Sequence, residues 1–114
     1  MERLGGDFYS AEQIHAMGAD KVMERVLPTL RGKRIHISFD VDSLDPTEFS
    51  STGYLIPGGL TFAQVRQIVR AAADTGALVS FECVEYDPAL DKSGADGKKL
   101  IQFYTFLRAC LEQY

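Results

Sequence analysis

The stretch SFDVDSLDP at residues 38–46 decides how this chain folds and where its chemistry lies. Apolar and polar residues alternate from residue 35 to residue 42, which predicts a β-strand. In a strand, side chains two positions apart point to the same side and lie roughly 6.5–7 Å apart. We therefore expect Asp40 and Asp42 to present two carboxylates together at the carboxyl end of the strand, where open α/β sheets build their sites.

Two neighbouring carboxylates at such an edge resist ionisation unless their charge is neutralised. A divalent cation would neutralise it, and carboxylate ligands suit hard ions such as Mn²⁺ or Mg²⁺. The D-x-D pattern alone is not specific, because both aspartates could instead begin a solvated turn. Asp45, which precedes Pro46, is more typical of a turn than of metal binding.

Outward from this strand, the pattern alternates between helices and strands. Capping boxes at residues 10–13 and 61–64 predict helix starts, and Pro28 should shorten a helix over residues 19–30. A strand is predicted over residues 77–85, apolar enough at its start to be covered on both faces. The last helix is predicted over residues 98–113, with inward-facing residues Leu100, Ile101, Tyr104, Leu107 and Leu111. This order predicts an α/β fold with a parallel sheet, although two strands alone make a poor free-standing sheet.

The second strand carries two further acids. Glu85 stands at its carboxyl end and could anchor a cationic substrate, or could simply be a solvated strand end. Glu82 lies inside an apolar strand, where a lone buried carboxylate is costly. We therefore expect Glu82 to have a hydrogen-bond partner or to support a metal site. His15 and His36 lack a second histidine at ligand spacing and are predicted to be structural.

Composition excludes several classes of protein. The chain has 114 residues, a formal net charge of −4 and a pI of about 5.1, which fits one domain and disfavours nucleic acid or an anionic membrane as partner. No apolar run reaches the roughly 18 residues of a membrane span, and residues 1–7 do not resemble a secretory leader. Cys83 and Cys110 do not form a C-x-x-C pair. We expect a cytoplasmic protein with two reduced thiols.

Three motifs together resemble the arginase family of ureohydrolases. Residues 35–46 (IHISFDVDSLDP) are similar to its S-F-D-V-D-x-L-D-P signature. Residues 52–61 (TGYLIPGGLT) resemble its T-G-x-x-x-P-G-G-L-T loop, and residues 84–91 (VEYDPALD) resemble its V-E-x-x-P-x-x-D segment. The motifs occur in order at fitting spacing, and the resemblance covers nearly the whole chain.

The resemblance implies a three-layer α/β/α sandwich around a parallel sheet, of which residues 1–114 would be the C-terminal portion. Members of the family hydrolyse guanidino compounds with two Mn²⁺ ions that activate a bridging hydroxide. By this resemblance, Asp40 would bridge both ions and Asp42 would bind one of them. Glu85 would pair with the guanidinium of the substrate, and Glu82 would occupy an acidic supporting position beside the site.

The chain also departs from the family pattern. The family has a metal-binding histidine, a D-x-H-x-D cluster, the substrate-tail contacts and a catalytic histidine upstream of the matched region. This sequence contains neither the histidine ligand nor the cluster, so the N-terminal metal-binding half would be absent. After Thr61, the aromatic-Arg-Glu that helps to join subunits in many arginases is replaced by FAQ at residues 62–64.

These observations leave more than one function open. The first is Mn-dependent hydrolysis of a guanidino substrate, L-arginine to ornithine and urea, in a parent enzyme, with this chain alone incomplete and inactive. The second is a non-catalytic half-fold that forms a homo-oligomer or pairs with the missing half. A fragment of an agmatinase or formimidoylglutamase is a third, because the residues that hold the substrate tail lie upstream.

Overall fold

A computed structural model describes residues 7–112, in which two parallel strands pack with four α-helices. In chain order the elements are α1 (Ala11–Met17), α2 (Ala19–Val26), β1 (Ile35–Asp40), α3 (Phe62–Asp74), β2 (Leu78–Val84) and α4 (Ala95–Leu111). Short 3₁₀ turns occupy Leu27–Leu30, Val41–Ser43 and Pro88–Leu90. The predicted parallel α/β order is confirmed. Residues 1–6 and 113–114, with the predicted end of the last helix, lie outside the described part.

Local sequence signals fix the helix boundaries. In α1 the Ser10 hydroxyl accepts the Gln13 N–H while the Gln13 side chain accepts the Ser10 N–H, and Thr61 and Gln64 repeat this arrangement at α3. Both capping boxes satisfy backbone donors that a helix start leaves free. Helix α2 ends at Val26 and continues as a 3₁₀ turn containing Pro28, as predicted from the proline.

Strand β1 ends two residues earlier than the sequence predicts. After Asp40 the chain enters a 3₁₀ turn over Val41–Ser43, so Asp42 is not part of the strand. The Asp42 N–H donates to Oδ1 of Asp40 at 3.0 Å, and the Ser43 hydroxyl donates to the Asp40 carbonyl at 2.7 Å. The alternation was misleading because Val41 is buried in the turn, just as it would be in a strand.

The hydrophobic core lies between one face of the sheet and helices α3 and α4. Phe103 of α4 is fully buried near its centre, with ring centroids 5.3 Å from Phe39 and 5.8 Å from Phe81. Burial of aromatic side chains of this size contributes much of the stability of a small core. Helices α1 and α2 extend this layer by packing beside α3.

The prediction that β2 is covered on both faces is wrong for the described residues. Val79 is 61% exposed, and Ser80 and Glu82 are exposed as well. His36 and Ser38, the register partners of Ser80 and Glu82 in β1, are also exposed. The apolar start of β2 suggested two-sided burial, but no helix in residues 7–112 covers this second face. We refer to it as the open face.

Helix α4 presents a different stripe to the core than predicted. Leu100 and Leu107 are buried as expected, together with Phe103 and Cys110. The remaining predicted inward residues, Ile101, Tyr104 and Leu111, are exposed. An amphipathic stripe can be displaced by one position when apolar residues occur on two adjacent faces, as they do here. Among the described residues, no helix is long and apolar enough to cross a membrane.

Candidate active site

Three carboxylates come together at the carboxyl ends of the two strands. Asp40 ends β1 opposite Val84, the last residue of β2, and Glu85 follows directly. Partial burial raises the pKa of Asp42, and the hydrogen bond with Asp40 and the negative charges of Asp40 and Glu85 raise it further. The structure thus brings Asp40, Asp42 and Glu85 within electrostatic reach of one another, although Asp42 gets there from a turn rather than from the strand.

Glu85 has an unusual backbone. Its φ angle is +72°, and among the described residues no other non-glycine residue has a positive φ. For an L-residue this left-handed conformation costs roughly 1–2 kcal/mol. Such conformations persist where the surrounding structure holds them, often at functional sites. The sequence predicted the position of Glu85 at the strand end but not this backbone.

Through its hydrogen bonds, Asp91 connects the loop that follows Glu85 with the start of α4. Its Oδ2 accepts the Tyr86 hydroxyl at 2.7 Å and the Gly97 N–H at 2.8 Å, while its Oδ1 accepts the Asp96 N–H at 3.2 Å. The Tyr86 hydroxyl and these backbone donors lower the pKa of Asp91, whereas the hydrogen bond to Asp91 raises the pKa of Tyr86. The carboxylate also satisfies backbone groups at a helix N-terminus, where negative charge is favourable.

Asp96 is a buried carboxylate that sequence reasoning missed. It is 7% exposed and its Oδ2 accepts the N–H groups of Ser50 and Ser51 and the Ser51 hydroxyl. The other carboxylate oxygen of Asp96, Oδ1, lies 3.5 Å from the Nζ of Lys99. An acidic residue in the first turn of a helix is usually solvated, so the inward position of Asp96 was not predictable from the sequence.

The long connection between β1 and α3 is ordered by Asp45. Its carboxylate accepts the N–H and hydroxyl of Thr47 and, at 2.8 Å, the Gly58 N–H. These bonds, those to Thr47 foremost, lower the pKa of Asp45 to about 2. A Cβ on Gly59 would lie 2.6 Å from the Asp45 nitrogen, which shows how closely the glycine backbone packs on the turn that carries Asp42. The turn role predicted for Asp45 is confirmed.

His15 of α1 forms hydrogen bonds with the same loop. Its Nε2 lies 3.1 Å from the Gly58 carbonyl and 2.9 Å from the Gly59 carbonyl, so Nε2 carries the proton and donates. The Gln64 amide lies 2.9 Å from Nδ1 and donates to it. His15 is therefore structural, as predicted.

Glu82 lies on the open face, two residue pairs before the edge at Asp40 and Val84. Its side chain is 54% exposed rather than buried, which corrects the expectation from the apolar strand. The expected partners are present: hydrogen bonds to Ser38 and then to His36 lower its pKa. The His36 Nε2 lies 3.5 Å from Glu82, and its Nδ1 lies 2.6 Å from the Ser80 hydroxyl.

The described residues can supply part of a metal site. Within residues 7–112, no group of three or more His, Cys, Asp or Glu residues is arranged to hold a metal ion. Asp40 and Asp42 nevertheless offer oxygen donors of the type that Mn²⁺ accepts. Burial first, and then the neighbouring carboxylates, raise the pKa of Asp42, and a bound cation would oppose both effects. The donors therefore fit Mn²⁺ in type, but not in number.

One buried polar group in the same region has no hydrogen-bond partner in the described chain. Thr52 is 3% exposed, and its hydroxyl is unsatisfied. It follows Ser51, whose carbonyl accepts the Asp87 N–H at 2.8 Å. A buried hydroxyl without a partner costs roughly 1–3 kcal/mol.

Comparison with known proteins matches this chain to one family. Residues 1–103 match the family model described as Arginase family. The human mitochondrial arginase-2 is 39% identical over 94 residues, which cover 80% of this chain and 27% of that protein. The arginase of Schizosaccharomyces pombe is 33% identical over 108 residues, which cover 92% of this chain and 33% of that protein.

Solved structures agree. The arginase from Bacillus subtilis superposes with a TM-score of 0.82 at 29% identity, over 96% of this chain and 38% of that one. The fold is that of the ureohydrolase class of proteins. The chain belongs to the arginase family, and it spans about a quarter to a third of the length of the curated relatives it matches.

Proposed function

We propose that this chain is the C-terminal portion of an Mn²⁺-dependent ureohydrolase that converts L-arginine into ornithine and urea. The observation that carries the proposal is the convergence of Asp40, Asp42 and Glu85 at the carboxyl edge of a parallel sheet in an arginase-family chain. Because the chain spans only part of its relatives, the activity is proposed for the complete assembly, in which the N-terminal half supplies the remaining ligands.

In this proposal Asp40 and Asp42 hold the metal ions through their carboxylate oxygens. When bound, Mn²⁺ would act as a Lewis acid that lowers the pKa of water, so that water can lose a proton near neutral pH. The hydrogen bond from the Asp42 N–H to Asp40 fixes one carboxylate relative to the other. Glu82 supports this edge from the open face through its contacts with His36 and Ser38.

Glu85 is proposed to orient the substrate. A guanidinium is planar, forked and permanently charged, and a carboxylate matches it in a bidentate pair. The strained backbone of Glu85, next to the loop that Asp91 fastens, would keep its carboxylate at one position beside Asp42. Positioning of this kind can account for several kcal/mol of barrier reduction.

Hydrolysis of agmatine is the second candidate activity. A hypothetical agmatinase from Burkholderia thailandensis is 37% identical over 73% of this chain, with a TM-score of 0.65. The residues described here contact only the guanidinium end of a substrate in the proposed arrangement, so they do not distinguish arginine, agmatine and formimidoylglutamate. Assays with all three substrates separate these candidates.

The test compares Glu85→Gln with Asp40→Asn in the complete protein or in this chain reconstituted with an N-terminal half. Glu85→Gln should lower kcat/KM by roughly 10²-fold or more at nearly unchanged Mn²⁺ content, because a hydrogen bond to a charged group is worth about 1.5–3 kcal/mol and the variant also leaves the substrate cation unpaired. Asp40→Asn should lose metal and activity together. Glu12→Gln, an exposed acid in α1, is the matched control and should change neither.

Near-normal kcat/KM in Glu85→Gln would reject the substrate-anchoring role. The chain by itself should release no urea with excess Mn²⁺ and should bind the ion only weakly through Asp40 and Asp42, since two ligands make a poor site. Sub-micromolar binding in calorimetry, or steady turnover lost in Asp42→Ala, would show that residues 1–114 suffice.

We further propose a cytoplasmic location and a partner that covers the open face. Cys83 and Cys110 are free thiols, which suits a reducing compartment. The partner is either a second copy of this chain or the N-terminal half.

A further inference from the structure

A cavity lies at the amino end of the sheet, far from Asp40 at the carboxyl end. It has a volume of about 710 Å³ and adjoins Ile35, where β1 begins, and Ala77, which precedes β2. Small-molecule sites usually have volumes of roughly 300–1,000 Å³. Asp40 lies five positions after Ile35 along β1, or about 16 Å away at roughly 3.3 Å per residue. We call this space the amino-end cavity.

The rim of the amino-end cavity is cationic. Arg31, Lys33 and Arg34 all contribute to its lining, and no ion pair joins any of them to a carboxylate in residues 7–112. The single acidic lining residue, Glu24, forms an exposed ion pair with Lys21 at 3.7 Å. Three unpaired cations in four residues contrast with the net charge of −4 for the whole chain.

The turn that carries these cations is well defined. Gly32 has a φ of +74°, a conformation that suits glycine. The Lys33 N–H donates to the Leu30 carbonyl at 3.0 Å, and the Arg31 N–H donates to the Pro28 carbonyl. The cationic side chains therefore start from a backbone that is hydrogen-bonded to the 3₁₀ turn over Leu27–Leu30, which reduces the ordering needed on binding.

The remaining lining is largely apolar. It consists of Leu27, Pro28, Leu30, Ile35, Ala77 and the methyl-bearing Thr75. An apolar wall below a cationic rim matches a ligand with an apolar body and anionic groups at one side. Inorganic ions would use only the rim, and a neutral apolar molecule would leave the cations unused.

We propose that the amino-end cavity binds a small organic dianion, either a dicarboxylate or a phosphate monoester, with an apolar body. Arginine guanidinium groups recognise either anion through paired N–H donors. The cations are exposed, so the attraction should weaken with salt, and a dissociation constant near the millimolar range is expected, as for binding energies of about 4 kcal/mol. This proposal does not depend on the proposed hydrolase activity.

The experiment titrates the full 114-residue chain by calorimetry and amide NMR. The probes are isophthalate for a dicarboxylate, phenyl phosphate for a phosphate monoester, inorganic phosphate for charge alone, and isophthalamide for the neutral body. The variants are Arg31→Gln and Arg34→Gln, alone and combined. Arg25→Gln is the matched control, since Arg25 is an exposed arginine on α2 outside the lining.

Saturable binding of isophthalate or phenyl phosphate, weakened about 10-fold or more in the double variant and unchanged in Arg25→Gln, would support the proposal. Inorganic phosphate should bind several-fold more weakly, and isophthalamide should not bind. The absence of saturable binding by both aromatic anions would overturn the proposal. Equal affinity for inorganic phosphate would do the same, as would affinity in the wild-type chain that does not change with salt.

Discussion

Ser51 donates both its backbone N–H and its hydroxyl to one carboxylate oxygen of Asp96, at 3.0 and 2.7 Å. The Ser51 carbonyl in turn accepts the N–H of Asp87, two residues beyond Glu85. Ser51 therefore links the loop before α3, the loop after β2 and the first turn of α4. The candidate site is held in place by residues that do not themselves belong to it.

The first prediction concerns Asp96. Asp96→Ala should lower the free energy of unfolding by about 2–4 kcal/mol, because it leaves two buried Ser51 donors without an acceptor and also removes the acceptor of the Ser50 N–H. Asp96→Asn keeps one acceptor oxygen and should cost less. Asp20→Ala removes an exposed acid from the first turn of α2 and serves as control. Urea denaturation measures all three, and equal effects of Asp96→Ala and Asp20→Ala would contradict the assigned role.

The second prediction concerns Gly59. A Cβ at this position would lie 2.6 Å from the Asp45 nitrogen and 2.7 Å from the Ser43 carbonyl oxygen, and backbone atoms cannot easily move away. Gly59→Ala should therefore destabilise the chain by about 1–3 kcal/mol or more through overpacking. At Gly53 an added Cβ would meet nothing within 4 Å, so Gly53→Ala should be nearly neutral. Thermal unfolding of the two variants provides the comparison, and similar Tm values would refute the close packing.

The third prediction is a pH dependence that originates at Asp45. The pKa of its carboxyl is about 2 in the folded chain against an ordinary value of 3.8. Because the folded value is the lower one, the ionised carboxylate stabilises the fold, fully above about pH 4 and progressively less as the pH falls towards about 2. The difference in unfolding free energy between wild type and Asp45→Asn should therefore shrink over this range. Denaturation curves at several pH values test this, and a difference that stays constant would exclude Asp45 as the source.

The sequence was informative where the structure depends on local signals. The capping boxes at Ser10 and Thr61, the effect of Pro28 and the parallel order of β1 and β2 were all predictable, because each follows from short-range chemistry or periodicity. The proximity of Asp40 and Glu85 was predictable for the same reason, since parallel strands end at one edge.

Features that depend on tertiary surroundings were not predictable. Whether Asp42 continues the strand or enters a turn depends on hydrogen bonds with Asp40, and alternation alone cannot distinguish the two. The inward position of Asp96 depends on a loop 45 residues away in sequence. Burial on both faces of β2 was inferred from composition, but composition does not say which chain segment provides the cover.

The last prediction concerns that open face and the free strand edges. Val79 of β2 and Ile101 of α4 are 61% and 68% exposed, and the described sheet has only two strands. Unpaired strand edges and exposed apolar side chains favour association. The chain alone should therefore exceed its monomer mass of 12.6 kDa in light scattering at micromolar concentration.

Val79→Lys places a charge on the edge strand and should shift the chain towards monomer, and Ile101→Lys should act in the same direction on α4. Leu90→Lys alters an exposed apolar residue in a 3₁₀ turn and is the matched control. It should leave the mass unchanged, because it lies on neither of these elements. A wild-type chain that remains monomeric and unfolds cooperatively would show that the described core is sufficient and that the open face needs no partner.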